Sequence, residues 1–98
     1  MRLHFIKPLD TSWNLLRQAG YQPDRGNRGQ VSYSKPLMGS SYPRFHIYIQ
    51  EEIPGERIVL TLHLDQKKPS YQGSHSHSGE YEGEIVGKEA ERLKALFS

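Results

Sequence analysis

A chain of 98 residues with 35% apolar side chains builds one modest core and no second one, so a single domain over residues 1–98 is expected. A charged fraction of 24%, a mean hydropathy of −0.75 and only short apolar runs speak against a membrane protein. Cysteine is absent, which excludes disulfides, CxxC redox motifs, cysteine-ligated zinc and cysteine nucleophiles. Thirteen Lys and Arg against eleven Asp and Glu leave a net charge of +2, without the dense basic face of a phosphate-driven binder. The opening MRLHFIKPLD has no apolar core before a small-residue cleavage site, so no secretory signal and a cytoplasmic protein are expected.

In residues 1–7, Leu3 and Phe5 alternate with Arg2, His4 and Ile6, which predicts a short strand ended by Pro8. Asp10, Thr11 or Ser12 can cap a helix over about 11–19, where Trp13, Leu16 and Ala19 recur at helical spacing and Gly20 suits the C′ position. This stripe predicts Trp13 in the core. Residues 22–29, QPDRGNRG, read as a loop, and QVSYSK at 30–35 as a strand with Val31 and Tyr33 on one face. Residues 36–44 read as a second loop, framed by Pro36 and Pro43.

The strongest signal is the pair RFHIYIQEE and RIVLTLHLDQ around Ile53-Pro54-Gly55-Glu56. For both apolar sets to share one face, odd positions of the first run must oppose even positions of the second, because a one-residue slip flips every side chain. A tight turn centred on Pro54-Gly55, or a symmetric four-residue loop, then pairs Phe45 with Leu64, Ile47 with Leu62 and Ile49 with Leu60. The other face follows: His46 opposes His63, Tyr48 opposes Thr61, and Arg44 opposes Asp65.

Residues 67–83, KKPSYQGSHSHSGEYEG, form a long polar segment, of a length that in compact domains is often functional. Val86, Ala90, Leu93 and Phe97 then make one helical stripe, with Glu82 and Glu84 near its start and Arg92 and Lys94 near its end.

Without its first strand the order is α-β-β-β-α, which resembles the arrangement of double-stranded-RNA-binding domains and of small bacterial toxins of the HicA type. LLRQAGY at 15–21 resembles the helix–Gly–aromatic opening of those toxins. The catalytic histidine of that family follows shortly, in a GSH-type segment at the first strand. Here Gly73-Ser74-His75 comes some fifty residues later, so that family's active residues do not carry over. HLDQKKPSY at 63–71 and HSGEY at 77–81 also resemble segments of small uncharacterised proteins of uncultivated bacteria, which implies no activity.

Three constellations carry possible chemistry. His75-x-His77, with His63, Asp65 and Glu80 as further candidates, offers imidazoles to a divalent metal with an open coordination position. Ordinary polar loop composition, without HExxH or similar spacing, is the expectation for it. His46 facing His63, with Asp65 to fix a tautomer, suits acid–base chemistry on a phosphodiester, and these three are the catalytic candidates. The plain alternative, a half-exposed polar sheet face, is the expectation for that pair. Arg25, Arg28, Lys35, Arg44, Lys67 and Lys68, interleaved with Tyr42, Tyr48 and Tyr71, suit phosphate contact and base stacking.

The expected architecture is an α+β two-layer sandwich of order β-α-β-β-β-α. A three- or four-stranded antiparallel sheet carries both helices on the face bearing Phe45, Ile47, Ile49, Leu60, Leu62 and Leu64. A small RNA-binding or RNA-associated module is the leading functional expectation, with RNA, a protein partner or a second copy as candidate partners. A histidine-based hydrolase or nuclease, metal-assisted or not, comes next, and a protein-interaction accessory domain third. No cofactor is expected other than a divalent metal ion as a candidate.

Overall fold

The computed structural model describes residues 1–24, 31–66, 79–80 and 83–98. β1 (Arg2–Ile6) buries Leu3 and Phe5 and turns Arg2, His4 and Ile6 outward, the alternation of a strand with one covered face. α1 (Ser12–Gln18) starts at Thr11, whose side chain accepts a hydrogen bond from the Asn14 N–H at 3.3 Å. It stops in a Schellman arrangement. The Tyr21 N–H donates to the Leu16 carbonyl and the Gly20 N–H to that of Arg17, with Gly20 at φ +99°.

β2 (Gln22–Asp24), β3 (Ser32–Pro36), β4 (Arg44–Ile53), β5 (Arg57–Asp65) and β6 (Gly79–Glu80) precede α2 (Glu84–Phe97). Every pairing is antiparallel; the order is β1-β5-β4-β3-β2, and β6 also pairs with β5. Among the described residues the fold is α+β with two helices, as the sequence predicts, but the sheet has six strands rather than three or four. β2 corrects the loop reading of 22–29: its Pro23 is tolerated because β2 is an edge strand. β6 falls within the segment read as a loop over 67–83. Residues 67–78 and 81–82 of that segment lie outside the described residues.

The β4–β5 register matches the expectation from Arg44↔Asp65 through Ile49↔Leu60, His46↔His63 included. The connection differs. Pro54-Gly55-Glu56 form a three-residue loop in which the Glu56 N–H donates to the Ile53 carbonyl at 2.9 Å and Gly55 adopts φ +78°. Proline second and a left-handed glycine third make this a type II turn. An odd loop length would break the register, and a bulge absorbs it: the pairing passes from Ile49↔Leu60 to Glu51↔Val59, leaving Gln50 extra. Past the bulge, Glu52 faces the helices, where its carboxylate accepts hydrogen bonds from the Ser12 N–H (2.8 Å) and Oγ.

Leu15 and Leu16 of α1, and Val86, Ala90, Leu93 and Phe97 of α2, pack in one cluster with Leu3, Phe5, Phe45, Ile47, Leu60, Leu62 and Leu64. Both helices therefore cover the same sheet face, and each fully buried aliphatic side chain contributes roughly 1.5–3 kcal/mol. Phe5 and Phe97 meet at 4.4 Å between ring centroids, tying the first strand to the last helix. Trp13 is not in this core: it is 48% exposed. The bonds from Ser12 to Glu52 rotate α1 so that Ser12, Leu15, Leu16 and Ala19 point inward, leaving Trp13 at the rim beside Tyr33 and under Arg17. Val31, just before β3, is likewise exposed, although its carbonyl accepts a hydrogen bond from the Ile49 N–H. No helix among the described residues is long and apolar enough to cross a membrane.

Candidate histidine–carboxylate centre

The alternation that sends Phe45, Ile47, Leu62 and Leu64 into the core sends Arg44, His46, Tyr48, His63 and Asp65 to the opposite face. His46 and His63 are only 5% and 7% exposed, which corrects the expectation of a half-exposed polar face. Their ring centroids lie 5.2 Å apart, and Tyr48 packs against both: 4.5 Å from His46, and nearly parallel to His63 at 5.7 Å and 16°.

Asp65 holds this group together. Its Oδ1 lies 2.9 Å from His63 Nε2, and its Oδ2 lies 3.3 Å from both His46 Nδ1 and Arg44 Nε. Burial pushes the Asp65 carboxyl upward, but hydrogen bonds from His46 and His63, with the charge those rings can carry, outweigh it and hold the carboxyl well below its usual range. The guanidinium of Arg44 also lies 4.8 Å over the Tyr42 ring.

A second carboxylate enters from the sheet edge. Asp24 of β2 sits opposite Ser32, which sits opposite Tyr48, and its Oδ2 lies 3.2 Å from His46 Nε2 and 3.8 Å from Arg44 Nη1. Among the described residues His46 Nε2 is buried yet makes no hydrogen bond, although Asp24 Oδ2 lies 3.2 Å away. Asp24 was not a candidate from the sequence. No local pattern marks it, because its place depends on a pairing two strands away from His46.

Two carboxylates against one guanidinium leave the cluster one negative charge while both imidazoles are neutral. His46, His63 and Asp65 each present one ligand atom, all within 4.8 Å of one another, a set that can hold a metal ion. Of the other sequence candidates, Lys35 lies on the helix side, near Gly20. Arg25, Arg28, Lys67, Lys68, Tyr71, His75 and His77 lie outside the described residues. Comparison with protein-family models, curated proteins and solved structures finds no match for this chain.

Proposed function

We propose that the protein is a small hydrolase of phosphodiester bonds, with RNA as its substrate and His46, His63 and Asp65 as its centre. The observation that carries this reading is a single carboxylate, Asp65, shared by two buried imidazoles and a guanidinium on one sheet face. A face needed only for solubility leaves such groups in water, whereas burying them costs free energy, which points to chemistry. Imidazole carries protons near neutral pH and also ligates metals, so either role is open to this pair. The guanidinium of Arg44 has five N–H donors, enough to meet a phosphate oxygen while keeping Asp65. Arg2, exposed on β1 of the same face and opposite Thr61, adds a further donor on that face.

In the reaction, a water oxygen forms the new bond to phosphorus, the bridging P–O bond breaks, and the water's proton passes to the leaving alkoxide. The test is cleavage of end-labelled RNA and DNA oligonucleotides, and of an activated phosphodiester, with each of several divalent metals and in chelator. His46→Gln and His63→Gln should each lower cleavage by about 100-fold or more. His4→Gln, outside the cluster, should leave it unchanged. No cleavage of any substrate under any condition would end the reading.

A further inference from the structure

We infer that His46, His63 and Asp65 bind one divalent transition-metal ion of the zinc class, with Asp24 as the carboxylate behind His46. This names the cofactor of the centre just described, and it rests on the hydrolase reading for the ion's chemical role.

Three observations lead to it. The first is a conflict at His46. A carboxylate only accepts hydrogen bonds, and His46 lies between two of them, with Nδ1 3.3 Å from Asp65 and Nε2 3.2 Å from Asp24. A neutral imidazole has one N–H. Whichever nitrogen carries it, the other presents a lone pair to a carboxylate oxygen, and Nε2 is the buried atom without a hydrogen bond. A metal ion on Nδ1 resolves this: the N–H then sits on Nε2 and donates to Asp24, the carboxylate–histidine–metal relay of many metal sites.

The second is the ligand set. Two imidazole nitrogens and one carboxylate oxygen are a common donor set for zinc and its first-row neighbours, and three protein ligands leave a position for water. His63 Nε2 and His46 Nδ1 already lie 2.9 and 3.3 Å from Asp65. Metal–ligand bonds of about 2.0–2.1 Å in a tetrahedral site set ligand atoms about 3.4 Å apart, so the atoms, now within 4.8 Å of one another, draw together on binding. β4 and β5 are fixed from behind by Phe45, Ile47, Leu62 and Leu64, so the adjustment falls to the side chains.

The third is charge. The cluster carries one net negative charge with neutral imidazoles, which repels a phosphodiester. A divalent ion reverses it to one net positive charge. The site then attracts the substrate, and the bound water is acidified toward neutrality.

The test uses the full chain, stripped with chelator and exchanged into buffer, then titrated with Zn2+ or Co2+. Calorimetry should find one tight equivalent, and the cobalt form should show visible absorption of low-coordinate Co2+. His46→Gln and His63→Gln should each weaken binding about 100-fold or more, Asp24→Asn about 10-fold, and His4→Gln not at all. Circular dichroism of each variant establishes that it is folded. Should a variant unfold, imidazole nitrogen spectra of the wild-type protein decide instead: the His46 and His63 resonances must shift on metal addition. Retained affinity in folded His46→Gln and His63→Gln with loss in His75→Gln or His77→Gln would overturn the inference. So would unmoved His46 and His63 signals at millimolar metal, or a protonated His46 ring that excludes the ion. RNA cleavage that persists in chelator without metal binding would also end it while keeping the hydrolase reading; metal binding without cleavage would do the reverse.

Discussion

Tyr21, just past α1, donates a 2.6 Å hydrogen bond to Glu89 in the middle of α2, and both side chains are buried. Arg92, one turn on, completes the arrangement. Its Nε and Nη2 donate to the two Glu89 oxygens, and Nη2 also donates to the Ala19 carbonyl at the end of α1. The two helices are thus joined by a polar set beside the apolar core.

The Tyr21 phenol is pushed far above its ordinary range, by burial first and by the Glu89 carboxylate second. A group whose folded-state pKa is raised contributes stability that is complete below its unfolded pKa and lost as the pH rises past it. Unfolding free energy should therefore fall above pH of about 10, at roughly 1.4 kcal/mol per pH unit from this group. In Tyr21→Phe that contribution should vanish, while stability at neutral pH drops by about 1–3 kcal/mol as Glu89 loses a donor. Urea melts of both proteins across the alkaline range measure the difference.

Glu52 fastens α1 to the sheet through the Ser12 N–H and hydroxyl. A helix of two turns has little stability of its own. Glu52→Ala should lower stability by about 1–3 kcal/mol and speed amide exchange in α1 more than in β5. Equal acceleration in both would mean that the contact does not hold the helix.

Gly20 sits at φ +99°, and a Cβ there would come within 2.9 Å of Lys35 Cε. Gly20→Ala should destabilise by about 1–2 kcal/mol from the left-handed backbone. The Lys35 chain end can move aside, so adding Lys35→Ala should recover only a few tenths of a kcal/mol. Full recovery in the double variant would assign the whole loss to the clash.

Trp13 and Leu16 share a helical stripe in the sequence but not an environment: Leu16 is fully buried, whereas Trp13 is half exposed. Leu16→Ala should cost about 2–5 kcal/mol, and Trp13→Ala should cost less than Leu16→Ala despite removing the larger side chain. Emission from this single tryptophan should change little on unfolding. Thermal melts followed by circular dichroism supply the comparison.

Local pattern determined the central hairpin and, with it, the site's opposed pairs. Once Phe45, Ile47, Leu62 and Leu64 must share a face, His46 has to meet His63 and Arg44 has to meet Asp65, because side chains alternate with period two. The α2 stripe was legible for the same reason at period 3.6. What the pattern leaves open is distance across non-adjacent elements. Asp24 joins His46 only because β2 pairs with β3 and β3 with β4. The Gln50 bulge turns Glu52 inward and so sets the rotation of α1 and the exposure of Trp13. A bulge shifts the register by one residue without altering composition, and a long-range carboxylate contact leaves no periodic trace. Both are decided where strands and helices meet in three dimensions, and there His46 becomes buried between two carboxylates.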